Sequence, residues 1–282
     1  MRFASLVAVL AAAALVAAGA APARTAPFRG LGAWVSLYDT RAWRAPERTV
    51  AALAQHGVRT LYLETSNDRR ATDVEKPART ARFLRAAHAS GIDVVGWYLP
   101  SFVNVRHAVR RSVAAIRFET RDGERFDGFA LDIEATNVRA VAKRSRRAVV
   151  VATRVRRAAG ADYPFGAITI APVGSSPSYW PRFPFRALAR SVDVFLPMAY
   201  FTARTTGAAG VAAYTAANVR RIRAAVGDPR FPIHPIGGSA TSATPAEVRA
   251  FAGASTRADA IGLSLWEYGL MRPRHWRALA RA

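Results

Sequence analysis

Short runs of β-branched and aromatic residues alternate with longer amphipathic stretches eight times between residue 30 and the C-terminal end. The short runs have the length of buried strands, and the longer stretches have helical spacing. The predicted strands span 33–38, 60–64, 93–99, 128–134, 166–171, 192–200, 231–237 and 260–266. The predicted helices span 46–56, 77–89, 104–118, 138–158, 180–190, 208–226, 245–253 and 273–281. This repetition predicts an α/β fold, a (β/α)8 TIM barrel that forms one domain over 30–282.

Local helix signals agree with this assignment. Gly57 and Gly91 stand where helix C-terminal caps belong, and Thr244 with Glu247 opens the seventh predicted helix. A doubly wound open sheet is the competing architecture, but it places a glycine-rich phosphate loop after its first strand. Residues 36–41 read Ser-Leu-Tyr-Asp-Thr-Arg, which favours the barrel.

The first residues have the pattern of an export signal. Arg2 precedes an apolar stretch at 6–16, and the small residues 21–23 provide a cleavage site. We therefore predict a signal peptide over 1–23, which is either cleaved or retained as an anchor, and a mature protein that is secreted or held in the cell envelope. No later stretch of the sequence has the length and apolarity of a membrane-spanning segment.

Charge and cysteine content narrow the function classes. The absence of cysteine excludes disulfide scaffolds, cysteine zinc sites and iron–sulfur proteins. The net charge of +22 comes almost entirely from arginines at helical spacing, which predicts solvated outer helix faces and no specific nucleic-acid partner. Electrostatic adhesion to anionic cell-envelope polymers is the alternative interpretation. The arginines considered are Arg106, Arg110, Arg117, Arg139, Arg144, Arg146, Arg147, Arg154, Arg156 and Arg157.

In a barrel of this kind, the active site lies at the carboxyl ends of the strands. The candidates for catalysis there are Glu134, Asp132, Tyr200 and Glu64. The candidates for substrate binding are Trp266, Trp97, Tyr98, Trp34, Asp39 and Glu267. Flat aromatic rings stack on the C–H faces of sugars, so the set predicts a carbohydrate substrate. The five histidines are scattered, and we expect neither a metal nor an organic cofactor.

The most specific sequence element is the fourth predicted strand. Residues two apart in a strand share a face, so Ala130, Asp132 and Glu134 are expected to point into the barrel. Two neighbouring carboxyl groups in a partly dry site resist joint ionisation, so one can keep its proton near neutral pH and act as a general acid. The alternative interpretation is a carboxylate pair neutralised by arginines of the barrel.

Residues 127–134 resemble the D-G-x-D-x-D-x-E signature of the family 18 glycoside hydrolases, the chitinase-like barrels. The resemblance implies that Glu134 donates a proton to the glycosidic oxygen. It implies that Asp132 orients the substrate's 2-acetamido group, which attacks the anomeric carbon. Residues 197–200 are similar to the family's M-x-Y-D motif, which implies that Tyr200 donates a hydrogen bond to that acetamido group.

The last predicted strand is also similar to this family, and the resemblance implies that Trp266 forms the floor of a sugar subsite. Two positions depart from the family pattern: Ala130 replaces an inward aspartate and Phe201 replaces the aspartate after Tyr200. The D-x-E pattern also occurs in family 25 lysozyme-like barrels, whose first strand carries an aspartate where this chain has Trp34.

These departures leave two mechanisms open. Without the acetamido group, a second protein carboxylate must act as nucleophile or base. Glu64 is the first candidate, because its position in the alternation of the second predicted strand points its side chain inward. Glu267 and Asp39 are expected in rim loops. For each of these three, a salt bridge to a rim arginine is the competing expectation. The functional alternatives are a secreted glycoside hydrolase and a non-catalytic glycan-binding barrel that uses Trp97, Trp266 and Tyr200.

Overall fold

The computed structural model describes residues 23–175 and 179–280. Almost all of the predicted signal peptide, residues 1–22, lies outside these ranges, as does residue 281 of the last predicted helix. Eight parallel strands form a closed barrel in sequence order, with β8 paired to β1, so the predicted TIM barrel is confirmed. The strands are β1 Gly30–Val35, β2 Thr60–Asn67, β3 Asp93–Leu99, β4 Gly128–Ile133, β5 Phe165–Ile170, β6 Val194–Met198, β7 Ile236–Ser239 and β8 Gly262–Trp266.

Helices cover the outside of the barrel. Gly57 and Gly91 adopt positive φ angles of 72° and 66° after the second and third helices, as predicted for C-terminal caps. Thr244 and Glu247 form a capping box at the start of α8. The α-helices are α1 Thr40–Arg44, α2 Pro46–Gln55, α3 Pro77–Ala89, α4 Val105–Ile116, α5 Val141–Ala159, α6 Phe185–Leu188, α7 Gly207–Val226, α8 Pro245–Arg257 and α9 Pro273–Leu279.

Alternation along each strand creates two apolar layers. On β4, Phe129, Leu131 and Ile133 pack outward under the helices, whereas Ala130 joins the inner layer with Trp34 and other inward side chains. The inner layer fills the lower part of the barrel. The polar groups at the upper strand ends therefore stand on a dry apolar base.

Several predicted strand boundaries are wrong, and for two of the strands the reason is identifiable. The strand predicted at 231–237 begins only at Ile236, as β7, because Pro232 and Pro235 have no N–H group to donate to a strand ladder. The first strand begins and ends earlier than predicted, because the chain turns after Val35 and Asp39 caps the unpredicted helix α1. The Asp39 carboxylate accepts a hydrogen bond from the Ala42 amide at 3.0 Å.

A short 3-10 helix, Ala26–Phe28, closes the barrel at the amino ends of the strands. The Phe28 ring has no exposed surface and lies in the inner layer. A Cβ atom on Gly166 of β5 would come within 2.9 Å of this ring, so glycine is needed there for the close approach. The Thr60 hydroxyl fixes the segment by donating to the Pro27 carbonyl at 2.9 Å.

A buried polar network lies just above the 3-10 helix Ala26–Phe28, which we call the plug of the barrel. His234 Nδ1 is 2.8 Å from the Phe28 carbonyl, which can only accept, so Nδ1 carries the proton of a neutral imidazole. Its Nε2 then accepts from the Ser264 hydroxyl at 3.1 Å, and that hydroxyl accepts from the Trp34 indole N–H at 2.8 Å. Burial lowers the pKa of His234 to about 4.

We expect this histidine to make the fold sensitive to mild acid. In the unfolded chain a histidine protonates near pH 6.5, whereas His234 in the folded protein protonates near pH 4. Between these values the unfolded state binds more protons, so the free energy of unfolding falls by about 3 kcal/mol as the pH drops through this window. Other groups titrate there too, so we would measure the difference between denaturation curves of the wild type and His234→Gln. A difference that stays constant from pH 7 to 4 would contradict this assignment.

Candidate active site

The upper end of the barrel contains a cavity of about 440 Å³ at the carboxyl ends of the strands. Eight of the ten candidate site residues line it: Trp34, Glu64, Trp97, Asp132, Glu134, Tyr200, Trp266 and Glu267. The other two, Tyr98 and Asp39, do not belong to its lining. Candidates from six strands and the loops that follow them therefore meet at one place.

Asp132 and Glu134 both line the cavity, as the alternation along β4 predicts. Asp132 is 5% exposed, and its Oδ1 atom has no hydrogen-bond partner among the described residues. Burial, with the negative charges of Glu134 and Glu64, raises the pKa of Asp132 well above its ordinary value. Burial also raises the pKa of Glu134. No arginine or lysine of the described chain forms an ion pair with either carboxyl group, so the neutralised-pair interpretation is wrong for this part of the chain.

Tyr200 follows β6 and packs against the inner apolar layer of the barrel. Burial raises the pKa of its phenol well above the ordinary value, and the charges of Asp132 and Glu134 act in the same direction. The phenol therefore stays protonated at neutral pH and can donate a hydrogen bond into the cavity. Phe201, the next residue, turns away from the cavity and packs against Phe251 with a ring centroid distance of 5.6 Å.

Glu64 is 2% exposed and both of its oxygens are held by donors. Oε2 accepts from the Leu37 amide at 2.8 Å, and Oε1 accepts from the Asn67 side chain at 3.0 Å. Burial raises the pKa of Glu64, while these two hydrogen bonds oppose the shift. β2 and β4 are separated by β3, so Glu64 and the Asp132–Glu134 pair stand on strands that are not adjacent. Asn67, which also lines the cavity, was missed because the strand was predicted to end at Glu64.

The structure corrects Tyr98 and Asp39 as predicted substrate-binding residues, and it also corrects Trp34, which is fully buried. Tyr98 alternates with the inward Trp97, so its ring faces the helices and is fully buried with Phe102 and Phe129. Asp39 caps α1 and does not reach the cavity lining. Neither the Tyr98 nor the Asp39 side chain lines the cavity.

The expected rim salt bridges are also absent from the described residues. Glu64 has the amide donors given above, Asp39 accepts from a helix N-terminus, and Glu267 accepts hydrogen bonds from Ser36. Burial raises the pKa of Glu267. These acidic groups are therefore held by neutral donors.

Three tryptophans form an aromatic floor. Trp34 stacks on Tyr62 at 4.2 Å between ring centroids, and it lies 5.9 Å from Trp97 and 6.0 Å from Trp266. Trp34 is fully buried, so it supports the floor and offers no face to a sugar. Trp266 keeps part of its surface exposed to the cavity. The Trp97 indole N–H is buried and has no acceptor within the described residues.

Buried arginines hold the loops around the cavity. Arg111, 2% exposed, donates to Ser66 Oγ at 2.9 Å and to the carbonyl oxygens of Asn67 and Arg70. Arg144 is equally buried and donates to the Tyr179 carbonyl. The expectation of solvated arginines is therefore wrong for Arg144, and also for the half-buried Arg147 and Arg156, which bind loop carbonyls. It is confirmed for Arg106, Arg110, Arg117, Arg139, Arg146, Arg154 and Arg157, which are exposed.

No protein-family model matches the sequence, and no curated protein matches it. Solved structures do resemble the fold. An endo-β-1,4-mannanase from Thermotoga petrophila superposes with a TM-score of 0.67 at 10% identity, covering 92% of this chain and 77% of that one. The spore cortex-lytic enzyme SleL of Bacillus cereus superposes with a TM-score of 0.67 at 10% identity, and the match covers 89% of this chain and 74% of that one.

A third similar structure is a glycoside hydrolase family 18 N-acetylglucosaminidase from Paenibacillus barengoltzii. It gives a TM-score of 0.62 at 11% identity and covers 90% of this chain and 99% of that one. These neighbours are glycosidases or lytic enzymes built on barrels, and they include the family whose motifs the sequence resembles. The chain therefore has the (β/α)8 barrel fold found in chitinase-like and other glycoside hydrolases.

Proposed function

We propose that the protein is a glycoside hydrolase that cleaves a polysaccharide or cell-envelope glycan, with Glu134 as the general acid. The observation that carries the proposal is the composition of the cavity. It brings Glu134, the buried Asp132 and the phenol of Tyr200 together beside Trp266 at the carboxyl ends of the strands, where barrel enzymes carry their active sites.

The protonation states suit acid catalysis. The raised pKa of Glu134 keeps its carboxyl group protonated closer to neutral pH than an exposed glutamate would be. Glu134 gives this proton to the glycosidic oxygen as the bond from that oxygen to the anomeric carbon breaks. Asp132 and Tyr200 line the same cavity and bind polar groups of the sugar near the reacting carbon.

The attack on the anomeric carbon needs a second group, and we infer that Glu64 supplies it. Its carboxylate is oriented by the Leu37 and Asn67 donors, and its negative charge raises the pKa of Asp132. Ala130 places a methyl group where the family 18 pattern has a carboxylate, and Phe201 is buried outside the cavity. Both observations favour a protein carboxylate over an acetamido group of the substrate.

The place of action we propose is outside the cytoplasm. The predicted signal peptide over 1–23 supports export, and one structural neighbour is a spore cortex-lytic enzyme. No helix among the described residues is long and apolar enough to cross a membrane. Glycans are expected to reach the barrel at the cell surface or beyond it.

A substrate screen tests the proposed activity. The purified mature protein would be incubated with chitin, peptidoglycan, β-mannan and α- and β-glucan oligosaccharides, and the products would be separated by mass and by reducing-end analysis. New reducing ends with the wild type and none with Glu134→Gln are expected. Tight binding of an oligosaccharide without cleavage by the wild type would instead identify a glycan-binding barrel.

A further inference from the structure

A second, smaller cavity adjoins the main one at Glu134. It has a volume of about 260 Å³ and shares Glu134, Met198 and Tyr200 with the main cavity. We call it the side cavity. The cleft therefore continues past the proposed general acid, so a bound glycan has room for sugar units on both sides of the bond that is cleaved.

The two cavities differ in their charged residues. The main cavity is lined by four carboxyl groups in addition to Glu134, together with one cation, Arg69. In the side cavity, Arg204 is the one charged residue besides Glu134 among the described lining residues. Arg204 is exposed and makes no ion pair with an acidic side chain of the described chain, so its guanidinium is free to bind an anion.

Hydrogen bonds connect Tyr179 of the side cavity to its surroundings. The Tyr179 hydroxyl donates to the Glu134 carbonyl at 2.8 Å, and the buried Arg144 donates to the Tyr179 carbonyl. Tyr179 nevertheless keeps 38% of its surface exposed. Arg204 runs beside Gly174, where an added Cβ would come within 3.3 Å of the Arg204 Cδ atom. An aromatic ring and a cation thus line the same cavity as the proposed acid.

We propose that the side cavity is a subsite for a sugar unit that carries a carboxylate, with Arg204 binding that carboxylate, so that the substrate is an anionic glycan. This inference rests on the proposed function. The planar guanidinium matches a carboxylate in a bidentate geometry, and the Tyr179 ring offers a face for a sugar. The net charge of +22 attracts a polyanion to the protein as a whole, although attraction alone selects no particular sugar unit.

Matched oligosaccharides test the subsite. One pair is a β-1,4-linked N-acetylglucosamine tetramer and its counterpart in which alternate units bear a lactyl carboxylate, that is, N-acetylmuramic acid. The other pair is a β-1,4-glucan oligomer and the corresponding glucuronan. Binding would be measured by calorimetry in the Glu134→Gln background, to prevent turnover, and kcat/KM would be measured for the active enzyme.

A carboxylated probe should bind more tightly than its neutral partner. Arg204→Gln should weaken that binding by about ten- to a hundredfold and leave the neutral probe unchanged, since it removes a charge-assisted contact. Arg154→Gln removes one exposed positive charge from α5, far from the cleft. It should change the binding of neither the carboxylated nor the neutral probe. Added salt should weaken the binding of the carboxylated probe to the wild type and to Arg154→Gln by the same factor.

The outcomes separate this inference from the proposed function. If neutral and carboxylated probes are cleaved with equal kcat/KM and Arg204→Gln affects both alike, the proposed carboxylate subsite is wrong. The proposed hydrolase activity is then still supported. If no probe is cleaved but carboxylated probes bind through Arg204, the subsite stands and the hydrolase is wrong. Failure of every carboxylated probe to bind the wild type would overturn the subsite.

Discussion

Replacement of Glu134 by glutamine is expected to lower kcat by about 10² to 10⁴, because the amide cannot give a proton to the leaving oxygen. The two side chains have the same shape, and the contact from Tyr179 goes to the Glu134 backbone carbonyl, which the substitution keeps. Folding and sugar binding should therefore survive. A loss of this size in a folded, ligand-binding protein would identify the acid.

The control for this substitution is Glu119→Gln in the loop before β4. Glu119 is exposed and pairs with Arg125 at 2.5 Å, away from the cavity, so its loss should leave turnover unchanged. Activity of the wild type should fall as the pH rises past the raised pKa of Glu134. Full turnover by Glu134→Gln would place the acid elsewhere.

Replacement of Glu64 by alanine is expected to lower kcat more than about a hundredfold on glycans without an acetamido group. The shorter side chain also leaves a space beside the anomeric carbon. Added azide should partly restore turnover and appear in a glycosyl azide product, because a small anion can take the place of the missing carboxylate. Mass spectrometry of the products would check this.

Asn67→Ala supplies the matched control for Glu64. It removes one donor to the carboxylate and keeps the carboxylate itself, so it should reduce kcat much less than Glu64→Ala does. The opposite mechanism has a clear signature: cleavage restricted to N-acetylated oligosaccharides, with Glu64→Gln close to full activity. That result would show that the substrate's acetamido group performs the attack despite Ala130 and Phe201.

The barrel and the orientation of β4 could be predicted because both depend on local periodicity. Alternation places every second residue of a strand on one face, so Asp132 and Glu134 had to share a face whatever the rest of the chain did. The same rule places Tyr98 opposite to Trp97, and its aromatic character alone led to the wrong assignment. Residue type suggested a role that strand geometry does not allow.

The remaining features depend on contacts between distant parts of the chain. Trp34 and Ser264 are 230 positions apart, and their hydrogen bond exists only because β1 pairs with β8 when the barrel closes. Helical spacing suggested that Arg144 faces solvent, but the loop containing Tyr179 folds over it and supplies a carbonyl acceptor. The free guanidinium of Arg204 likewise emerges only from the arrangement of two loops.

The closed lower end of the barrel also places the start of the described chain on the side opposite the cleft. Ala26–Phe28 lie at the amino ends of the strands, and α9 leads the chain back from the upper end of β8 toward that same side. A strand the length of β1 separates this side from the cleft by about 20 Å. A protein anchored through its N-terminal segment, on a membrane or on a solid support, would present the open cleft to the surroundings and keep the plug against the support. Long polymer chains could then enter from solution without passing the anchor.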